Sequence, residues 1–86
     1  MPLLSSFYGI AIYMYYRDHA PPHFHAIYGG DEAIFDLSEM MIRRGRLPKR
    51  AERLVAEWAG LHREELLQDW DRAQAGETLE PIEPLE

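Results

Sequence analysis

The N-terminal half of the chain alternates apolar with other residues in short runs, which is the two-residue period of β-strands. The predicted strands are residues 10–16, 23–28, 32–37 and, with a less regular pattern, 40–42. Gly29 and Gly30 supply a hairpin turn between the second and the third of them. Residues 2–8 are interpreted as an irregular lead-in, so this half predicts a small antiparallel sheet of three to four strands.

The C-terminal half changes to the 3.6-residue period of an α-helix, with its apolar side chains on one stripe. Pro48 lies at the first turn, where the missing N–H of proline costs nothing. We expect one long helix over residues 48–75 that packs on the sheet, with a turn at Gly60 and Leu61 as the alternative. A straight helix of that length extends past a small sheet, so Trp70 near its end is expected to be uncovered.

Residues 76–86 form a tail in which apolar residues recur at every third position between acids and prolines. That spacing favours an extended segment that docks through one apolar edge, on its own sheet or on another chain. The whole pattern predicts an α+β fold in a single domain over residues 1–86. Its parts are a strand-rich half (1–47), a helix (48–75) and an extended tail (76–86). The predicted core contains Phe24, Phe35, Leu54 and Trp58.

The chain contains no cysteine, which excludes disulfides, thiolate metal sites and a cysteine nucleophile. Any metal would therefore need histidine and carboxylate ligands. No run of residues has the length and apolar character of a membrane span, and the N-terminus lacks the pattern of a signal peptide. We therefore expect a cytoplasmic protein that does not associate with membranes.

The net charge of −6 is unevenly distributed, because one compact basic segment interrupts an acidic chain. Between positions 43 and 53, six residues are basic and one is acidic. Such a segment can bind phosphate or an acidic partner, and it can equally form a solvated surface that complements the acidic C-terminal half. The candidate phosphate- or partner-binding residues are Arg43, Arg44, Arg46, Lys49 and Arg50.

His23 and His25 lie two positions apart, so a strand places both imidazoles on one face and Phe24 with Ala26 on the other. We expect the histidines on the sheet face away from the helix. In a structural role they would hydrogen-bond tyrosine hydroxyls or Asp36, which the hairpin brings to the same face.

Two chemical roles are open for the same histidine pair. As metal ligands, His23 and His25 would suit Zn²⁺ or Cu²⁺ and would need a third ligand. The candidates for the third ligand are Asp18, His19 and His62. Of these, His62 falls near the centre of the helical apolar stripe and is expected in the core. As catalysts, the pair would be general acids or bases in phosphodiester cleavage, with the nearby arginines holding the phosphate.

Several short motifs occur together along the chain. They are Phe7-Tyr8-Gly9, residues 15–26 with the run Asp18-His19-Ala20-Pro21-Pro22-His23-Phe24-His25, then Arg46-Leu47-Pro48, Glu57-Trp58, residues 62–67 and Trp70. In this combination the chain resembles the bacterial domain of unknown function 4160 family. The resemblance implies a strand-rich N-terminal half, a helical C-terminal half and a gene beside that of a second small family, an arrangement similar to a toxin–antitoxin pair. It implies no catalytic residue, and this chain is richer in arginine between positions 42 and 53 than we expect of relatives.

Sequence and resemblance together predict a small interaction protein that pairs with a partner chain, as one component of a toxin–antitoxin-like two-gene module. The expected partner is a cognate small protein. Nucleic acid is a further candidate, and so is a second copy of the chain, because Tyr13, Tyr15 and Trp70 leave apolar surface. The alternatives are a metal-independent ribonuclease-like enzyme that uses His23 and His25 with Arg43, Arg44 and Arg46, and a histidine-based metal-binding protein. The sequence predicts no cofactor and no metal; if a metal binds, His23 and His25 are its ligands.

Overall fold

A computed structural model describes residues 2–86, and within them the chain forms a five-stranded antiparallel sheet with two helices. The elements are β1 (Leu3–Phe7), β2 (Ile10–Tyr13), β3 (His23–Tyr28), β4 (Asp31–Asp36), β5 (Met41–Gly45), α1 (Lys49–Leu61) and α2 (Arg63–Ala75). The strands lie in the sheet in chain order, from β1 to β5. The predicted α+β class is confirmed, and neither helix is long and apolar enough to cross a membrane.

The sheet has more strands than the alternation predicts. Residues 2–8 are not a lead-in, because Leu3–Phe7 forms β1 and pairs with β2. A register shift between Leu3 and Ser5 buries the consecutive residues Leu4 and Ser5, so β1 lacks the alternating pattern by which a strand is recognised. The fourth predicted strand is also longer than residues 40–42, since β5 extends to Gly45 and includes Arg43 and Arg44.

The structure has two helices instead of the predicted single long one, because the chain breaks at His62, where φ is −119° and ψ is 23°. This break lies next to Gly60 and Leu61, where the alternative prediction places a turn. A straight helix over residues 49–75 would be about 40 Å long. The longest dimension of the whole molecule is 33 Å. After the break, α2 packs beside the β2–β3 loop, so Trp70 is buried with 6% of its surface exposed, whereas the sequence predicts that it is uncovered.

The core lies between the helices and one face of the sheet, and it is centred on Trp58 of α1. The Trp58 ring is fully buried and packs 5.2 Å from Phe7 and 5.7 Å from Phe24, centroid to centroid. Phe24 in turn stacks on Phe35 at 5.1 Å. The prediction that Phe24, Phe35 and Trp58 lie in the core is confirmed. The fourth predicted core residue, Leu54, is half-buried and packs against the core.

The tail docks on its own chain, as the spacing of its apolar residues predicts. Leu79 and Ile82 are buried. The Ile82 N–H donates to the Leu4 carbonyl at 2.8 Å, and the Trp58 indole N–H donates to the Glu83 carbonyl at 2.8 Å. The tail therefore runs beside the β1 edge of the sheet and closes one side of the core.

Candidate metal centre

The two histidines of β3 lie on the sheet face opposite the core. Phe24 and Ala26 point into the core and are fully buried, so the alternation of the strand sends His23 and His25 to the other face, as predicted. The exposed fractions of the two imidazole side chains are only 11% and 10%. The neighbours that cover them come from the β2–β3 loop, from β4 and from α2.

Asp18 lies in the loop between β2 and β3, and α2 holds that loop in place. The Arg17 N–H donates to the Ala73 carbonyl at 3.2 Å, and the side-chain amide of Gln74 donates to the Asp18 carbonyl at 3.1 Å. One carboxylate oxygen of Asp18, Oδ1, accepts a hydrogen bond from the His19 N–H at 2.8 Å. These contacts leave the second oxygen, Oδ2, directed at the histidines.

Asp18 and the two histidines converge on one point. Asp18 Oδ2 lies 2.9 Å from Nε2 of His23 and 3.4 Å from Nε2 of His25. The three ligand atoms all lie within 4.8 Å of one another. For comparison, adjacent ligand atoms around a tetrahedral Zn²⁺ are about 3.3 Å apart, given Zn–N distances of about 2.0–2.1 Å. The three side chains are thus positioned to share a metal ion with little movement.

The other ring nitrogen of each histidine is anchored by an oxygen. Nδ1 of His23 lies 2.7 Å from the Pro21 carbonyl, which can only accept, so Nδ1 carries a proton. Nδ1 of His25 lies 3.2 Å from Oε2 of Glu32, where it donates to the carboxylate. Metal-binding histidines usually donate this second N–H to a backbone carbonyl or a carboxylate, which orients the ring and raises its basicity. Both kinds of support occur here.

All four ring nitrogens of His23 and His25 face oxygen atoms. Two of these nitrogens, the Nε2 atoms, face the same carboxylate oxygen of Asp18. A metal ion bound to both Nε2 atoms could be shared with that oxygen in place of these hydrogen bonds. The arrangement therefore suits a bound cation.

The neighbours of Asp18 also shift the pKa of its carboxyl group. Burial alone would raise the pKa of Asp18, but hydrogen bonds from the His19 backbone N–H and from the rings of His23 and His25 outweigh it and lower that pKa below its ordinary value. The carboxyl of Asp18 is thereby kept ionised, which is the form that binds a metal.

Two aromatic rings enclose the histidines. The Tyr15 ring lies edge-on to His25, with 4.2 Å between centroids, and the Trp70 ring lies 5.1 Å from that of His23. Burial, with smaller contributions from the carboxylates of Glu32 and Asp18, raises the pKa of the Tyr15 hydroxyl. The aromatic side chains restrict the rotation of both imidazoles and exclude water from two sides of the site.

A cleft of about 310 Å³ opens beside the site, and Asp18 and His23 form part of its wall. Arg43 and Arg44 also line this cleft, together with Ala20, Pro21, Ile34 and His19. The structure thus brings two of the predicted basic residues to the same cleft as His23.

Asp36 does not partner the histidines, although it is the cross-strand neighbour of His23 in the β3–β4 register. Its Oδ1 accepts hydrogen bonds from the backbone N–H groups of Ser38 and Glu39, and its Oδ2 lies 3.2 Å from Nε of Arg43. The predicted hydrogen bond between Asp36 and an imidazole is therefore wrong, because the turn after β4 and Arg43 of β5 bind this carboxylate instead.

The other predicted basic residues lie outside the site. Arg46, Lys49 and Arg50 are exposed and do not line the cleft. Arg50 extends over the Tyr8 ring at 5.8 Å, at the end of the sheet opposite His23. His62 lies at the junction of the helices, where its Nδ1 contacts Glu65 at 2.6 Å and its ring packs on Trp58, so it is half-buried and is not a third ligand.

Three residues that contact the histidines are not named as site residues by the sequence-based hypotheses: Tyr15, Glu32 and Trp70. The sequence could have placed Glu32 near the histidines, because the Gly29–Gly30 hairpin sets a register in which Glu32 lies on the same sheet face as Ile34 and Asp36. No such local signal exists for Trp70, which reaches His23 only because the helix breaks at His62.

Comparison with known proteins identifies one family. No curated protein and no solved structure matches the chain significantly. Residues 9–71 match the family described as Domain of unknown function (DUF4160), a stretch that begins at the start of β2 and includes the three converging side chains. The chain therefore belongs to this family of domains of unknown function.

Proposed function

We propose that the protein binds a divalent transition metal through Asp18, His23 and His25, as a small metalloprotein with an open coordination position. The observation that supports it best is the convergence of two Nε2 atoms on one carboxylate oxygen while both Nδ1 atoms donate to fixed oxygens. In metal-binding histidines, one ring nitrogen commonly faces the metal while the other donates to a carbonyl or carboxylate oxygen, which is the arrangement found here.

The ligand set favours certain metals. Two imidazole nitrogens and one carboxylate suit Zn²⁺ or Fe²⁺, whereas Mg²⁺ and Ca²⁺ prefer oxygen ligands. Three protein ligands leave at least one position for water or a substrate, which is the pattern of catalytic rather than structural zinc sites. Because Asp18 and His23 line the cleft, a ligand in the cleft can reach that position.

The proposal is tested by titrating the protein, purified without a histidine tag and treated with a chelator, with Zn²⁺ in a calorimeter and with Co²⁺ by visible absorption. We expect one metal per chain and a tetrahedral or five-coordinate Co²⁺ spectrum. His23→Gln and His25→Gln should weaken Zn²⁺ binding by more than the about 10–100-fold that removal of an outer-shell partner costs.

His62→Gln is the matched control, because it removes an imidazole that lies outside the site. The control should bind Zn²⁺ like the wild type. Substoichiometric binding by the wild type, or equal weakening in all three variants, would contradict the proposal. Circular dichroism of each variant separates loss of the site from loss of the fold.

The metal-independent ribonuclease is the weaker alternative on the same evidence. A general base needs a free ring nitrogen within reach of the substrate. In His23 and His25 both nitrogens face protein oxygens, and Asp18 lies between the two rings. Cleavage of RNA by chelated wild-type protein, lost in His23→Gln, would restore this alternative.

Pairing with a cognate partner chain, in a toxin–antitoxin-like module of the cytoplasm, stays a prediction from the sequence. The feature that favours it is the open edge of β5, which pairs only with β4 among the described residues and exposes 55% of Met41. An open edge offers backbone groups to an added strand. Co-purification with the product of the neighbouring gene, lost on Met41→Lys, would support this second function.

A further inference from the structure

We infer that the cleft beside the metal centre binds the phosphate group of a small phosphate monoester, which spans the metal and the guanidinium groups of Arg43 and Arg44. The inference rests on the proposed metal function and adds to it the class of ligand. The supporting observations are the contacts that position Arg43, the place of Arg44 beside it, and the size and charge of the cleft.

Arg43 is positioned by a buried carboxylate. Its Nε lies 3.2 Å from Oδ2 of Asp36, whose side chain is only 3% exposed. Asp36 is itself held by the N–H groups of Ser38 and Glu39, at 2.7 and 3.0 Å. Since Asp36 contacts Nε, the two terminal nitrogens of the Arg43 guanidinium keep their donors for a ligand. A guanidinium fixed in this way loses little conformational entropy when it binds an anion.

Arg44 adds a second positive charge to the same wall. It follows Arg43 in β5, pairs with Ile34 in the sheet register and forms no ion pair with any other residue in the 2–86 range. The bulge between Ile34 and Phe35 in the β4–β5 ladder places Arg43 and Arg44 together beside the cleft instead of on opposite faces of the strand. Two adjacent guanidiniums and a divalent metal offer hydrogen bonds and positive charge to the doubly charged phosphate of a monoester.

The cleft favours a small ester over a nucleic acid. Its volume of about 310 Å³ is at the lower end of the range for small-molecule sites. Arg46, Lys49 and Arg50, which would extend a track for a polyanion, lie elsewhere, and the net charge of −6 repels a long polyanion. Ala20, Pro21 and Ile34 provide an apolar wall for the organic group of the ester.

The test uses calorimetry on the Zn²⁺-loaded protein with three probes: inorganic phosphate, adenosine 5′-monophosphate and adenosine. We expect the two phosphates to bind and adenosine not to bind. Arg43→Gln/Arg44→Gln should weaken phosphate binding at least about tenfold, because charge-assisted hydrogen bonds are lost. Its affinity for Zn²⁺ should stay within about threefold of the wild type, because neither arginine is a ligand.

Arg46→Gln/Arg53→Gln is the matched control, since it removes two positive charges of the same basic segment from exposed positions outside the cleft. It should bind phosphate like the wild type. Equal weakening in both double variants would overturn the inference, because it would indicate a general charge effect.

Four further outcomes discriminate. If the wild type binds Zn²⁺ but neither phosphate, the inference fails and the metal proposal stands; if it binds no metal, the metal proposal itself fails. If metal-free protein, prepared with a chelator, binds phosphate as tightly as the Zn²⁺-loaded protein, the inference that the metal contacts the phosphate is overturned. An RNA oligonucleotide without a terminal phosphate that binds more tightly than adenosine 5′-monophosphate would overturn the assignment to a monoester.

Discussion

Nε2 of His23 lies 2.9 Å from Oδ2 of Asp18, and the two residues are held by different parts of the fold. His23 begins β3, whereas the backbone of Asp18 is bound by Gln74 at the end of α2. The end of α2 therefore helps to hold Asp18 in position for this contact.

Asp18→Asn should abolish tight metal binding, because it keeps the shape of the side chain but removes the charge on which both Nε2 atoms converge. We expect a loss of Zn²⁺ affinity larger than the about 10–100-fold typical of outer-shell changes. The measurement is a competition titration with a chromophoric chelator. Asp31→Asn, at an exposed carboxylate at the start of β4, is the control and should bind like the wild type.

Glu32→Gln should weaken metal binding by less, because Glu32 supports Nδ1 of His25 and is not itself a ligand. The exposed fraction of the Glu32 side chain is 52%, so we expect the lower end of the outer-shell range, about tenfold. The Co²⁺ spectrum should keep its shape with weaker affinity. A loss as large as that of Asp18→Asn would mean that Glu32 is a direct ligand.

The stability of the metal-free protein should depend on pH through Asp18. The folded-state pKa of Asp18 is lowered, so the unfolded chain binds this proton first as the pH falls. The carboxylate therefore contributes its full stabilisation at pH values above its unfolded-state pKa of about 4. The contribution is lost as the pH falls through the lower folded-state value. In urea unfolding with a chelator present, the difference in stability between wild type and Asp18→Asn should therefore shrink below about pH 4. A constant difference from about pH 6 to about pH 2.5 would contradict the lowered pKa.

Trp58→Ala should cost about 3–5 kcal/mol of unfolding free energy, because this buried indole contacts the aromatic rings of both β1 and β3. Trp58→Phe should cost less, since it keeps an aromatic ring in the core and loses only part of the indole volume together with the hydrogen bond to the Glu83 carbonyl, worth about 0.5–1.5 kcal/mol. It should also make the tail more sensitive to proteolysis. Leu61→Ala, at a side chain that is 67% exposed, is the control and should change stability by less than about 0.5 kcal/mol.

Gly45→Ala should disturb β5 and with it the arginines of the cleft. Gly45 has a φ of +74°, and a Cβ there would lie 2.1 Å from the Glu32 carbonyl oxygen, which is backbone and cannot move aside. The backbone strain alone is expected to cost about 1–3 kcal/mol. Gly30→Ala is the control and should be nearly neutral, because a Cβ on Gly30 would meet no heavy atom within 4 Å. Thermal unfolding of both variants measures the difference, and equal melting temperatures would contradict the packing of β5 on β4.

The candidate site was predictable in part. The period of β3 is enough to place His23 and His25 together, because side-chain alternation in a strand is local and needs no knowledge of the rest of the chain. Asp18 could be named as one of three possible third ligands, but the choice among Asp18, His19 and His62 depends on contacts made by the far end of the chain. Asp36 shows the opposite case: its register with His23 is correct, yet its hydrogen bonds go to the following turn and to Arg43.

The order of residues along the chain is enough to establish the α+β class, the strand that carries the histidines and the apolar stripe that packs on the sheet. Each of these follows from a periodicity that neighbouring residues impose on one another. Only the three-dimensional contacts establish where the periodicity is interrupted. A register shift removes the alternating pattern of β1, and a bulge in β5 places both Arg43 and Arg44 beside the cleft. The break at His62 allows α2 to contact the loop that carries Asp18. Interruptions of this kind are set by contacts between residues distant in sequence, and the loop that carries Asp18 of the candidate metal centre is held by one such contact.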